Sequence, residues 1–351
     1  MKRTGALGLG VAIALALPAA LRAQDYPPSP PEHPDDPGSP SFWFQQPNVG
    51  YGPLHYVSLA TIPSLRSGFE TQFPESMPSG MFDLRVTQSW VKNLALTDQF
   101  QIDFEVLRST IAFTWAVSDD VRLDLAIESA SRTGGALDAF ILGFHHAFGL
   151  AIGDRDHFAR NENRIAIQAP GGGPLVVVDE NDPQPYEQAA LLTLRHNLTC
   201  GDEYVPAVAW SLSLRGNLAP GDVHRSGPLD LGVSIGLVKE IETVHVYLGG
   251  NLAWFGSEEF FGLKLRTLQW STTFAIEWHL ATEFSIIAQY MITSGSAVGL
   301  TDLSLPIHEV VAGFKWEPFP GVLLELAIVE NIINPHNSPD FGVHVGVTFR
   351  W

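Results

Sequence analysis

Hydrophobic and polar residues alternate along most of this chain. Near its end, Phe341, Val343, Val345, Val347, Phe349 and Trp351 fall on one face of an extended segment, and Gly342, His344, Gly346, Thr348 and Arg350 on the other. A period of two is the pleat of a strand, whereas a helix repeats every 3.6 residues. The same pattern recurs in Phe82–Trp90, Val121–Glu128, Val208–Arg215, Leu229–Leu237, Val244–Trp254 and Leu268–Trp278. The stretch 102–116 changes phase near Leu107, which predicts a bulge there.

The connections alternate too. Ser118–Asp120, Lys239–Glu242, Leu280–Thr282 and Glu317–Pro320 are short, while 217–228, 255–265, 294–305 and 331–340 are long. Counting back from Trp351 predicts about twelve strands, with Leu54–Thr61 and Pro174–Asp179 as further candidates. Short turns at one end, longer loops at the other and an even strand count predict an all-β fold, an antiparallel transmembrane β-barrel. A soluble barrel or sandwich would also alternate. The uniformly apolar outward faces and the tryptophans at strand ends (Trp90, Trp115, Trp254, Trp278, Trp316, Trp351) favour the membrane, where aromatic girdles mark both interfaces.

Composition narrows the picture. Charged residues are 17% and aromatics 11% of 351 residues. No apolar run after the N-terminus reaches the roughly 20 residues of a membrane helix. The net charge of −18 argues against a nucleic-acid partner. The single cysteine, Cys200, excludes an intrachain disulfide. Lys2 and Arg3 before the apolar run Leu7–Leu17, and the small residues of Pro18–Ala23, predict a cleaved signal peptide at 1–23. Residues 24–47 predict a Pro-rich acidic periplasmic linker, and 48–351 the barrel with a long loop at 132–187. A bacterial outer-membrane location follows. The expected partners are outer-membrane lipids, lipopolysaccharide and the barrel assembly machinery, which would recognise the terminal Gly346, Phe349 and Trp351.

The strand phases put Asp83, Arg85, Arg122, Asp124, Glu128, Arg215, Gln269, Glu277, Lys315 and Glu325 on the polar, lumenal face. Charges of both signs either pair and fill a narrow barrel or line a polar path. Within the long loop, Leu137, Ile141, Phe144 and Phe148 have helical spacing, and Gly149 stops the run. This helix either folds into the lumen or caps the barrel. His145 and His146 accompany Asp138, Asp154 and Asp156, so a carboxylate-oriented histidine is the candidate general base of a rim-active lipid hydrolase. The spacing matches no nucleophile or metal motif, so neither metal nor cofactor is expected.

The segment Gly134-Gly135-x-Leu137-Asp138-x-Phe140-Ile141-x-x-Phe144-His145, with Phe148-Gly149-Leu150 and Arg155, resembles the family designated domain of unknown function 3187. Asn48, Pro53-Leu54, Pro63, Trp90 and Asp103-Phe104-Glu105 agree with it. The resemblance implies an exported outer-membrane protein without an established activity, so it carries over no catalytic residue. The expected function is a non-enzymatic porin-like or structural barrel. The alternatives are the lipid hydrolase and a protein that binds a partner through its long loop.

Overall fold

The computed structural model describes residues 43–44, 48–66, 68–135, 137–149, 162–168, 174–178, 187–219, 229–260 and 262–351. The expected signal peptide, most of the expected linker, and Asp154, Arg155 and Asp156 lie outside the described residues. The elements are β1 (Phe82–Leu96), β2 (Phe100–Ala116), β3 (Val121–Thr133), helix α1 (Leu137–Phe148), β4 (Arg164–Gln168), β5 (Pro174–Val178), β6 (Glu187–Cys200), β7 (Ala207–Ala219), β8 (Leu229–Ile241), β9 (Val244–Phe255), β10 (Glu259–Phe260), β11 (Leu263–Lys264), β12 (Leu268–Ala281), β13 (Phe284–Thr293), β14 (Ile307–Phe319), β15 (Val322–Ile333) and β16 (Phe341–Arg350).

Twelve of these strands close an antiparallel barrel in the order β1-β2-β3-β6-β7-β8-β9-β12-β13-β14-β15-β16. β16 returns to β1 with Asp83 opposite Arg350 and Val91 opposite Gly342. Closure joins the first strand to the last and leaves no open sheet edge along the belt, which a hydrocarbon environment requires. The outward face is an apolar belt that includes Ile111, Phe113, Leu125, Ile127, Leu212, Leu231, Val233, Leu248, Leu252, Phe274, Ile276 and Val345, all exposed. Phe82 stacks on Phe113 and Trp115 near the short-turn end, and Trp254 and Trp270 lie toward the long-loop end.

The bulge expected near Leu107 is absent. β2 pairs in unbroken register with β1 from Gln101 to Trp115 and with β3 from Glu105 to Ala116. What changes at Leu107 is the environment. β2 is 17 residues long, and a tilted strand crosses a bilayer in about 9–11. Beyond Leu107 the polarity inverts. Inward-facing Ile102, Phe104 and Val106 join a buried apolar cluster with Leu59, Ile62, Ile165, Ala297, Leu300 and Leu303. Outward-facing Asp103 and Glu105 are buried as well. This end of the barrel is therefore built like a soluble protein, with β4 continuing beside β2 where β3 has ended. Residues 54–61 form no strand, whereas Pro174–Val178 is β5 and pairs with β4.

Candidate functional site in the barrel lumen

Residues 48–66 and 68–80 run through the lumen as two legs, with the change of direction near the long-loop end. Proline interrupts them at 53, 63, 74 and 78. Without those N–H groups the segment cannot make a regular ladder, so the wall binds it through side chains. On the rising leg, Tyr51 N donates to Glu277 at 3.1 Å, His55 N to Glu325 at 2.9 Å and the Tyr56 hydroxyl to Glu309 at 2.9 Å. Lys315 Nζ donates to the carbonyls of Pro53 (2.6 Å) and Tyr51 (3.1 Å). Asn93 Nδ2 reaches Leu59 O at 3.0 Å. The chain then turns through a short 3-10 helix, Pro63–Leu65.

The falling leg begins at Arg66, whose guanidinium donates to Ser257 O at 2.8 Å and stacks over Phe255. Gln72 N donates to Ser234 Oγ at 3.1 Å. Glu75 is gripped by Arg195 at 2.7 Å and Arg350 at 2.6 Å. Ser79 N reaches Asp119 in a short turn at 2.8 Å. Glycines make room for this leg. A Cβ on Gly236 would lie 2.4 Å from Gln72 O, one on Gly232 2.8 Å from Phe69, and one on Gly249 2.6 Å from Thr71. Trp43 and Phe44, at the end of the expected linker, donate their N–H groups to Glu317 at 2.8 and 3.2 Å.

The ten charged or amide residues expected inside the barrel are placed as follows. Asp83 takes two bonds from Arg350, both at 2.8 Å. Arg85 pairs with Glu70 at 3.2 Å, Glu128 with Arg108 at 2.6 Å, and Asp124 accepts from Thr114. Arg215 holds Asp230 at 2.7 Å with neither side chain exposed. Glu277, Lys315 and Glu325 bind the rising leg, and Gln269 is buried. Arg122, opposite Arg195 on the β3–β6 ladder, is buried and makes no hydrogen bond among the described residues. Beside the rising leg a cavity of about 120 Å³ is lined by Glu70, Glu75, Asp83, Arg85, Arg108, Asp124, Glu128 and Arg195. Both signs of charge face it, and it runs along the β1–β2–β3–β6 side of the wall.

Ser89, His344 and Glu325 also form a chain. Ser89 Oγ is 2.7 Å from His344 Nδ1, and His344 Nε2 is 2.6 Å from Glu325. The order is that of a nucleophile triad, but the ring is wired in the opposite sense to the serine-protease arrangement. The carboxylate is further shared with Lys315 at 3.3 Å and the His55 ring at 3.0 Å. Its role here is to tie three strands to the inner segment.

Among the described residues, the hydrolase candidates are not brought together. Asp138 and the histidines are seven and eight positions apart on α1, about 10–12 Å along a helix axis. Asp138 instead pairs with Lys92 at 3.2 Å, and Lys92 also pairs with Asp103. His146 is exposed, and the His145 and Phe144 side chains lie outside those described. Helix α1 neither enters the lumen nor caps it. It packs on the outer wall, with Leu137 and Ile141 against Phe341, Trp90 and Val343. Glu105 accepts from Leu137 N at the helix start and from Trp90 Nε1, both at 2.7 Å. Gly135 has φ +60°, and a Cβ there would lie 1.5 Å from the Glu105 carboxylate. The Gly-Gly-x-Leu-Asp motif is thus a docking latch. Gly135→Ala adds a left-handed backbone cost of about 1–2 kcal/mol and displaces the Glu105 carboxylate. The 134–149 segment of that variant should be cleaved faster in limited proteolysis while the barrel keeps its heat-modifiable mobility; unchanged cleavage would count against the latch.

The inner segment is what the strand pattern did not disclose. Its signals were present: a Pro- and aromatic-rich stretch before the first strand, and lumen-facing glycines on β8 and β9.

Residues 41–351 match the family model described as protein of unknown function (DUF3187), and the chain belongs to that family. No curated protein matches its sequence. The fold is similar to that of the COG4313 outer membrane channel from Pseudomonas putida F1, at 10% identity and TM-score 0.50, over 81% of this chain and 100% of that one. The NanC porin is similar at 8% identity and TM-score 0.43, over 76% of this chain and 98% of that one. The KdgM porin in complex with disordered oligogalacturonate is similar at 8% identity and TM-score 0.38, over 77% and 98%.

Proposed function

We propose that this member of the DUF3187 family is a porin-like channel of the bacterial outer membrane, kept closed by residues 48–80. One observation carries the reading. Wall side chains alone can fill a barrel of about eight strands, but this one has twelve. This lumen holds two legs of main chain, attached by side-chain bonds and by ion pairs at Glu70 and Glu75 rather than by a ladder. Such an attachment can be released without unpairing a strand. The polar cavity beside the rising leg is the path that release would widen, and its mixed charges suit a small hydrophilic or zwitterionic solute.

Single-channel recording in planar bilayers tests the reading. The intact protein should show small, infrequent steps. Gly236→Val, whose side chain collides with the Gln72 backbone, should open more often and to larger steps, because valine itself suits a strand. Silence from both proteins, with correctly folded barrels in the membrane, would favour a structural barrel.

A further inference from the structure

We propose that His245, Glu277 and His279 form a binding site for a divalent transition-metal ion of the zinc class, on the lumen wall beneath the rising leg. The register assembles it. His245 on β9 stands directly opposite Glu277 on β12, and His279 is two residues further along the same strand. All three side chains therefore face the lumen at neighbouring positions.

Their ligand atoms lie within 4.8 Å of one another, and His279 Nε2 is 3.2 Å from Glu277 Oε1. Tetrahedral zinc with bonds of about 2.0–2.2 Å needs ligand separations of roughly 3.3–3.6 Å. The His279–Glu277 pair is already close to this, and the contacts of His245, at most 4.8 Å, close by a small rotation of its ring. Two imidazoles with one carboxylate suit zinc and its transition-metal neighbours rather than calcium or magnesium, which prefer all-oxygen sets.

His245 supplies an independent pointer. It is 2% exposed, and neither of its ring nitrogens has a hydrogen-bond partner among the described residues. Its Nε2 is 3.9 Å from Glu240, beyond hydrogen-bond reach. A buried imidazole with an unused lone pair is costly unless something accepts it. A metal ion would. The other two residues are oriented as ligands usually are, by partners on their far side. Ser285 Oγ holds His279 Nδ1 at 2.9 Å, and the Tyr247 hydroxyl and Tyr51 N hold Glu277. Gly50, at φ +62°, passes so close that a Cβ would lie 2.5 Å from Glu277 and 3.1 Å from His245. The inner segment thus roofs the site and excludes bulk water from it.

The test uses the full-length, untagged barrel refolded without metal and titrated with Zn²⁺ alone. Calorimetry and metal analysis after gel filtration should give one ion per chain. His245→Gln and His279→Gln should each weaken binding at least tenfold, whereas His308→Gln, away from the cluster, should not. Absence of stoichiometric zinc in the parent, or equal binding in both cluster variants, overturns the site. Should a variant fail to refold, the visible spectrum of the parent loaded with Co²⁺ decides. Intense bands of a four- or five-coordinate ion support the site, and the weak spectrum of an octahedral aquo-like ion overturns it.

Discussion

Replacing residues 49–78 by a short Gly-Ser linker should raise single-channel conductance several-fold and leave the barrel folded. The two ends of the excised stretch are close to the same rim. Asn48 binds Glu240 near the end of β8 and Gly201 just after β6, and Ser79 binds Asp119 in the turn before β3. A short linker therefore spans the gap without crossing the lumen. No wall strand loses a ladder partner, because every barrel pairing runs between strands that start at Phe82 or later. The variant loses the buried apolar contacts of Leu59 and Ile62 and uncovers acidic and basic groups such as Glu277, Glu325, Lys315 and Arg195 to water. Water solvates these charges, so the widened lumen is a polar, conducting path. Conductance equal to that of the intact protein would mean that residues 48–80 do not govern permeation, and the proposed closure would fail with it.

Arg215→Met should destabilise the protein by about 3–5 kcal/mol, the usual consequence of leaving one member of a buried ion pair alone. Arg215 and Asp230 face each other across β7 and β8 and are both fully buried. The guanidinium also donates to Arg66 O on the falling leg and lies over the Phe69 ring. Removing it strands the Asp230 charge and unfastens the inner segment at its turn. Equilibrium urea unfolding of barrels reconstituted in lipid vesicles, followed by tryptophan fluorescence, measures the loss. The double variant R215M/D230L should recover part of it, since the Asp230 charge is then removed, and only part because Glu187, 3.9 Å from Arg215, keeps its own. A loss below about 1 kcal/mol, typical of a solvated pair, would show that this part of the lumen is wet and the inner segment unseated.

The apolar end of the barrel explains how the strand pattern misled at one point. Asp103 and Glu105 interrupt the outward apolar face of β2, which looks like a slip of one residue. The slip is absent because the wall has left the lipid there. Helix α1 covers those carboxylates outside, and Leu59 and Ile62 cover Ile102 and Phe104 inside. Alternation reports which face is apolar, not what touches it. The same limit applies to the hydrolase candidates. Asp138 and the histidines are near in sequence, but a helix separates positions seven or eight apart by two turns, and Asp138 is drawn to Lys92 instead.

The sequence by itself determined the wall. Period-two alternation, turn length and the even strand count are local properties, and closing the sheet follows from the need to pair every edge in lipid. The lumenal side of Arg215, Glu277 and Glu325 was legible for the same reason. Only the tertiary structure decided what occupies the lumen, where α1 docks and which histidines meet a carboxylate. Those depend on contacts between residues far apart in the chain. Gly236 makes space for Gln72, Glu75 joins Arg195 to Arg350, and His245 meets Glu277 only because β9 and β12 pair in one register. No local period encodes such meetings, since they arise from the shape that the closed wall gives to the space inside it.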